Sequence, residues 1–461
     1  MKRSHTARFG LLFVFALLVG FVPPAQGVLR AQVRPDAQGT LYLPLIMQRY
    51  TAFPSIFGVR MQAVNDPNGL SQALEARVRT VRSVTFAWSS IEPVRTSPNP
   101  TYRWWMVDEG SLINAADNQL EVIGNIHWTP DWAQLWPGIG CGPMREDQLG
   151  AFAQFLQALV SRYGQHPYHV RHWAIWNEPD IDPDDVRNPS STYGCWGDED
   201  DPYYGGGRYA EMLKVAYPAI KATDPLAEVI VGGLLLDSPI KPSSQFAEGI
   251  LQAGGGPYFD VLAFNAYTYY QGAIGKMRNP NWPGSVTAVP DKVLFLRTVL
   301  DQYGFGEKPL MATEASMVWW NVTTPEFLET QAMYVTRVYA EALSLGLEGL
   351  IYYSMTDDWL GRSNGLLRTD LSKKPSYYAY QTATSFLAQA HGTTPVSGYP
   401  VGIEGYASLL PNSGHVDAIW SADGTPRTVH LPADASAYDR YGTALVPPIL
   451  VDYGPVYVVR P

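Results

Sequence analysis

The chain has 461 residues, of which 46% are hydrophobic and 16% charged, and its formal net charge at pH 7 is −10. This length suits two or three average domains, although one large barrel with insertions can absorb most of it. The negative balance and the lack of a basic tract exclude nucleic acid as a partner, because nothing would neutralise the phosphates. The aromatic fraction of 13% is high, which fits a carbohydrate site but also fits a large core.

The first residues have the layout of an export signal. Lys2, Arg3 and Arg8 precede an apolar run from Phe9 to Val22, which is short for a membrane span. We therefore predict a secretory signal at residues 1–27, with an uncleaved anchor as the alternative. No later segment is apolar for long enough to cross a membrane. The protein is expected to be secreted or otherwise extracytoplasmic, with attachment to the cell surface left open.

Residues 28–54 are predicted to be a linker that includes one short edge strand at 40–46. Beyond them, buried strands alternate with amphipathic helices up to residue 391. Strands are predicted at 55–62, 79–88, 121–128, 172–176, 228–236, 259–267, 309–316 and 349–355. The clearest helices are predicted at 148–163, 209–222, 291–303, 325–345 and 376–390.

Eight strands that alternate with helices indicate an α/β fold of the (β/α)8, or TIM-barrel, type over residues 55–391. A doubly wound open sheet is the alternative. It has less support, because no glycine-rich phosphate loop follows the first strand. The remaining residues, 392–461, contain short β-like runs and turns, and are predicted to form a small β-sandwich-like domain that covers the barrel. An independent carbohydrate-binding module is a weaker interpretation, since this part has a single Trp.

Two of the predicted strands end in a glutamate. The fourth runs into Asn177-Glu178-Pro179, where the proline cannot donate to a sheet and should end the strand. The seventh carries Glu314 near its end. One such carboxylate alone would fit a salt bridge as well as a catalytic role, because a buried charge must be paired or used. Two carboxylates on one scaffold fit glycoside hydrolysis, which needs an acid/base together with a nucleophile or second base.

The segments Trp176-Asn177-Glu178-Pro179 and Thr313-Glu314-Ala315 resemble those of the retaining glycoside hydrolases of clan A, and the similarity covers roughly residues 55–390. The cellulase and beta-xylosidase-like families belong to this group. The resemblance implies a barrel whose fourth strand ends in the acid/base, Glu178, and whose seventh ends in the nucleophile, Glu314. It also implies a carbohydrate substrate and no cofactor or metal.

The resemblance extends to residues around the two carboxylates. Asn177 matches the residue that binds the sugar 2-hydroxyl, and Arg82 matches an arginine that approaches the nucleophile, although Arg82 could also bridge barrel residues for stability alone. The sixth strand carries Asn265 where many relatives have His. Neither of the two strand histidines, His127 and His172, is assigned a catalytic role, and His127 is the better candidate for a substrate contact. The full set of predicted substrate contacts is Asn177, Arg82, Tyr267, His127, Trp88, Trp128 and Trp359.

Two backbone features are also expected. Strict alternation would point Asn177 and Glu178 to opposite faces, so the end of the fourth strand should be bulged or kinked. The resemblance implies a cis peptide bond between Tyr353 and Ser354 on the eighth strand.

The two cysteines, Cys141 and Cys195, follow the third and fourth strands, so both lie in loops on the predicted catalytic face. In an exported protein a disulfide between them is expected, and two buried thiols are the alternative.

These observations predict a secreted retaining glycoside hydrolase that cleaves O-glycosidic bonds of a poly- or oligosaccharide by double displacement. The main alternative is a catalytically inactive, carbohydrate-binding relative at the cell surface. A purely structural surface protein gains nothing from the paired glutamates. The clan implies a β-linked plant or microbial glycan, without identifying the sugar.

Overall fold

The structure is a computed structural model that describes residues 55–96, 98–186, 193–321, 323–358 and 361–461. The predicted signal at 1–27 and the linker with its edge strand at 28–54 lie outside these residues. Within the described ranges, no helix combines the length and the apolar character needed to cross a membrane.

Eight parallel strands close into a barrel, as the alternation of strands and helices predicted. Each strand pairs with its neighbours in chain order, and the first also pairs with the eighth, which excludes the open sheet. The strands are β1 (Phe57–Arg60), β2 (Thr80–Ala87), β3 (Glu121–His127), β4 (His172–Ile175), β5 (Glu228–Leu234), β6 (Val261–Tyr270), β7 (Leu310–Val318) and β8 (Leu350–Tyr352). A short strand, Met277–Arg278, extends the sheet antiparallel to β6.

Helices follow the strands and cover the outside of the barrel. They are α1 (Leu70–Glu75), α2 (Trp88–Ile91), α3 (Glu109–Asp117), α4 (Leu149–Tyr163), α5 (Gly206–Thr223), α6 (Gln245–Gln252), α7 (Val289–Gln302), α8 (Pro325–Ser344) and α9 (Pro375–Leu387). In α4, Phe152, Phe155, Leu156, Leu159 and Tyr163 are buried at helical spacing, so one apolar face packs on the sheet.

The inside of the barrel has its own small apolar cluster. A Cβ atom on Gly58 of β1 would lie 2.3 Å from the Ile351 side chain, so glycine is required where β1 meets this cluster. The interior is therefore filled with side chains, as in other eight-stranded parallel barrels. The cluster consists of Ile123, Ala174, Ile230, Val261, Ala263, Met311 and Ile351.

The C-terminal part forms antiparallel sheets, and its first strand begins at His391. A six-stranded sheet and a two-stranded pair enclose an apolar cluster centred on Ile419, Val451 and Val458. The six strands, in spatial order, are His391–Pro395, Ile403–Leu409, His415–Ser421, Val456–Arg460, Ser436–Asp439 and Ala444–Leu445; the pair is Arg427–Val429 with Ile449–Val451.

This β domain packs against α8 of the barrel. The guanidinium of the buried Arg337 lies 5.0 Å from the centre of the Trp420 ring, and the Tyr457 hydroxyl donates to Thr336 at 3.2 Å. The Tyr441 hydroxyl donates to Glu329 at 2.8 Å. Because these contacts are in part buried and polar, the β domain covers α8 with a specific interface, in line with the covering role predicted from sequence.

Candidate active site

Glu178 lies directly beyond β4, at the carboxyl end of the barrel. The chain kinks there as predicted, since Trp176 and Glu178 both adopt positive φ angles of 70° and 47°. The Glu178 N–H donates to the carbonyl of Gly233 at 3.0 Å. A Cβ atom on Gly233 would lie 2.0 Å from the Thr313 hydroxyl, so this close approach between β5 and its neighbours depends on glycine.

Asn265, from β6, is the hydrogen-bond donor to the Glu178 carboxyl group. Its side-chain N–H donates to Oε1 of Glu178 at 2.8 Å, and Glu178 is only 2% exposed. Burial raises the pKa of Glu178 to about 8, and the negative charge of Glu314 adds to the increase, while the Asn265 hydrogen bond opposes it. Glu178 is therefore mostly protonated at neutral pH, which is the state that a general acid requires.

The orientation of the Asn265 side chain is fixed by its other contacts. The Thr313 hydroxyl donates to Asn265 Oδ1 at 3.0 Å, which leaves the NH₂ group directed at Glu178. The buried ammonium of Lys292 donates to the Asn265 carbonyl and to the Leu235 carbonyl, both at 2.7 Å. These contacts connect α7, β5, β6 and β7 around one carboxyl group.

Glu314, on β7, has a different environment. Arg82 donates to one of its oxygens and the Tyr267 hydroxyl donates to the other. A second N–H of Arg82 donates to Asn177 Oδ1 at 2.7 Å, so a single guanidinium orients both residues. The two donors stabilise a negative charge on Glu314, which suits a nucleophile. Burial and the charge of Glu314 raise the pKa of Tyr267 well above its usual value, so this phenol keeps its proton.

Trp88, one of the residues predicted to contact substrate, is a core residue instead. Trp88 was predicted at the end of a strand, but β2 stops at Ala87 and Trp88 begins α2, fully buried against Trp132 and Phe152. Its indole N–H donates to Glu92 at 2.9 Å and its ring also packs on Phe155, so no ring face is open to a sugar.

His127 is likewise buried, with 1% of its surface exposed. Its Nε2 atom lies 3.2 Å from the Tyr193 carbonyl, and its ring packs against Trp128 and Trp176. His127 therefore lies beneath the loop at Tyr193. Trp128 is half-buried at the end of β3, and Trp359 lies outside the described residues.

Several aromatic residues near the site were not in the predicted set of substrate contacts. Tyr269 and Trp320, at the ends of β6 and β7, have near-parallel rings with centroids 6.4 Å apart, and Trp320 is half exposed. Tyr353, after β8, lies edge-to-face with Tyr267 at 6.0 Å. The available signal was their position after strand ends, where a barrel presents its functional residues. The Tyr353–Ser354 peptide bond is cis, which confirms the expectation from the resemblance.

Cys141 and Cys195 form a disulfide, with Cα atoms 5.3 Å apart. The Cys141 carbonyl accepts hydrogen bonds from the Cys195 N–H at 3.1 Å and from the Trp176 indole at 2.8 Å. The disulfide thus connects two loops at the catalytic face and lies next to the segment that carries Glu178. Over the described ranges, no group of three or more His, Cys, Asp or Glu side chains is arranged to hold a metal ion.

Comparison with known proteins relates the fold to solved glycosidases. No family model matches the chain, and no curated protein matches it. Among solved structures, a family 39 glycoside hydrolase from Bacteroides cellulosilyticus superimposes with a TM-score of 0.66 at 19% identity, over 89% of this chain and 82% of that one.

Two further structures give similar results. An endoxylanase of glycoside hydrolase family 30 from Clostridium papyrosolvens has a TM-score of 0.56 at 14% identity, over 88% of this chain and 96% of that one. A monomeric beta-xylosidase from Caulobacter crescentus has a TM-score of 0.54 at 14% identity, with the same two coverages. At these identities the likeness shows a shared fold.

Proposed function

We propose that this protein is a retaining glycoside hydrolase, with Glu178 as acid/base and Glu314 as nucleophile. The observation that carries the proposal is the contrast between the two carboxyl groups. Glu178 is buried beside an amide and has a pKa raised to about 8, whereas both oxygens of Glu314 accept from Arg82 and Tyr267. Double displacement at a glycosidic bond requires one carboxyl group that donates a proton and a second that attacks as a nucleophile.

In the first step, a Glu314 oxygen attacks the anomeric carbon while the bond from that carbon to the leaving oxygen breaks. Glu178 gives its proton to the leaving oxygen. In the second step, the ionised Glu178 takes a proton from water, whose oxygen attacks the anomeric carbon and releases Glu314. Asn177, held by Arg82, is the proposed partner of the sugar 2-hydroxyl, and Trp128 and Trp359 are proposed substrate contacts.

The proposed substrate is a β-linked poly- or oligosaccharide. The similar structures include a beta-xylosidase, an endoxylanase and a glucosidase, which supports this class. The half-exposed aromatic pair Tyr269 and Trp320 offers ring faces on which sugar units could stack. The N-terminal segment, in which basic residues precede an apolar run, supports export of the protein to the extracytoplasmic space, where such a glycan would be encountered.

The test is to measure, by NMR, the anomeric configuration of the product that is formed first from an aryl glycoside. Retention is expected, and a product of inverted configuration would exclude Glu314 as nucleophile. Glu314→Gln should abolish turnover. Glu178→Ala should retain the first step on substrates with a good leaving group, and azide should accelerate its second step as a nucleophile that needs no general base. Binding of glycans without any turnover would instead support the inactive, carbohydrate-binding alternative.

A further inference from the structure

Arg60, the last residue of β1, lies inside the mouth of the barrel. Gly58, two residues earlier, faces the interior cluster at Ile351, and side chains two apart on a strand share a face. Arg60 pairs in register with Arg82, which reaches Glu314 from the neighbouring strand. Arg60 therefore belongs to the layer of interior side chains that carries the candidate catalytic groups, and it is half-buried there.

The guanidinium of Arg60 lies 5.6 Å from the centre of the Tyr353 ring. Tyr353 also carries a second cation, because the Arg362 guanidinium lies 5.4 Å from the same ring centre and donates to the Tyr353 hydroxyl at 3.1 Å. Tyr353 in turn touches Tyr267, whose hydroxyl donates to Glu314. Two arginines thus converge on an aromatic ring beside the proposed nucleophile.

The charges around this ring do not balance. Arg82 is paired with Glu314 and Arg362 with Asp358. Among the described residues, Arg60 has no carboxylate within ion-pair distance, and its guanidinium donates no hydrogen bond to them. Glu178 cannot supply the missing charge at neutral pH, since burial raises its pKa to about 8. A half-buried guanidinium without a counter-ion is available to bind an anion that enters the cleft.

We propose that Arg60 binds an anionic group carried by the sugar in the cleft, so that the substrate is an acidic glycan whose glycone unit bears a carboxylate or a sulfate ester. This inference rests on the proposed glycosidase function and specifies its substrate. A guanidinium presents its N–H groups as a planar fork that matches a carboxylate or sulfate, and it is always charged. The location beside Tyr353 and Glu314 places the anionic group on the sugar that the nucleophile attacks.

The test compares aryl glycosides that differ at one carbon. The pairs are the β-D-glucoside with the β-D-glucuronide and the β-D-galactoside with the β-D-galacturonide; the 6-sulfated glucoside and galactoside distinguish a sulfate source from a carboxylate source. For the wild-type protein, kcat/KM should be at least about tenfold higher for an acidic member than for its neutral partner.

Arg60→Met should lower that acidic-to-neutral ratio by roughly 10- to 100-fold, which is the usual loss for a hydrogen-bonded charge pair. Arg60→Lys, which keeps the charge but loses the fork, should give an intermediate ratio, and added salt should lower the wild-type ratio. Arg79→Met is the matched control, because Arg79 is exposed just before β2 at the opposite end of the barrel. This control should retain the wild-type ratio.

Turnover without preference for any acidic member, or an Arg60→Met ratio equal to that of the wild type, would overturn the inference and leave the glycosidase proposal standing. If no glycoside of this panel is turned over, binding to the Glu314→Gln protein decides the inference, and the glycosidase proposal is decided separately by the test of anomeric configuration. Calorimetry should then show tighter binding of glucuronate, galacturonate or a 6-sulfated sugar than of glucose and galactose, lost on Arg60→Met. Equal binding, or none, would overturn it.

Discussion

The side-chain amide of Asn265 donates to Glu178 at 2.8 Å, and it has a single orientation because the Thr313 hydroxyl donates to its side-chain oxygen, Oδ1. Asn265 and Thr313 are both fully buried, so water does not compete for these bonds. An amide cannot titrate in place of Glu178, whereas a histidine at this position could. The protonation of Glu178 therefore depends on burial, on Glu314 and on the direction of one amide.

Thr313→Val should alter the pH dependence of catalysis. Without the hydroxyl donor, the Asn265 amide can turn its oxygen toward Glu178, which favours the protonated carboxyl group and raises its pKa. The basic limb of the kcat/KM profile should move to higher pH, and kcat/KM at neutral pH should fall about 2- to 10-fold, as for one neutral hydrogen bond. Thr298→Val, on the exposed side of α7, is the control. An unchanged profile for Thr313→Val would contradict this role.

Glu178→Gln should stabilise the protein in a pH-dependent way. Folded Glu178 titrates near pH 8 and the unfolded carboxyl group near pH 4.3, so the folded state holds an extra proton between these values. The free energy of unfolding of the wild type should therefore fall across this window, because ionised Glu178 is buried. Urea unfolding at several pH values should show that the free energy of unfolding of the variant, relative to that of the wild type, increases from about pH 4 to pH 8. Above pH 8 this difference should stay constant. A difference that is constant with pH would contradict the raised pKa.

The sequence predicted the barrel because its signals are local. The sequences of β5 and β7 are apolar enough to be strands covered on both faces. The proline in Asn177-Glu178-Pro179 marks a strand end in the sequence itself. Contacts that depend on closure were out of reach. Asn265 meets Glu178 only because β4, β5 and β6 are neighbours in the closed sheet and Gly233 lets them approach.

The burial of two predicted substrate contacts has a similar cause. Trp88 and His127 both stand at the carboxyl ends of their strands, where function is expected. Whether such a residue faces the cleft or the core is decided by the next turn of chain: α2 starts at Trp88 and turns its ring onto Phe152, and Tyr193 covers His127. Neither partner is close in sequence, so no local pattern predicts the burial of these residues.

Removing the disulfide should destabilise both the protein and its site. Cys141 and Cys195 are 54 residues apart, and closing a loop of that size is worth roughly 4 kcal/mol in the free energy of unfolding. Urea unfolding should show that the free energy of unfolding of the double Ser variant is lower by about that amount. Its kcat/KM should also fall, because the Cys141 carbonyl holds the Trp176 indole beside Asn177 and Glu178. Wild-type protein treated with a reductant is the matched comparison, and unchanged stability in both would contradict the prediction.

His172, the first residue of β4, should control stability without affecting catalysis. Its Nδ1 atom lies 2.8 Å from Glu228 and its Nε2 atom 3.5 Å from Glu121, the first residues of β5 and β3. Burial disfavours the charged imidazole, but the two carboxylates outweigh it and raise the pKa of His172 above its usual value. This end of the barrel is opposite to Glu178, which follows the last residue of β4.

His172→Gln keeps a hydrogen-bonding side chain but cannot be charged. Because the folded pKa of His172 is raised, its stabilising contribution should be complete below about pH 6.5, the unfolded value, and should disappear as the pH rises through the folded value. The wild type should therefore exceed the variant in free energy of unfolding most strongly at acidic pH, with a difference that shrinks toward alkaline pH. The kcat/KM profile of the variant should match that of the wild type. A stability difference that grows with pH, or a shifted kcat/KM profile, would show that His172 does not act as a charged clamp at the amino ends of β3, β4 and β5.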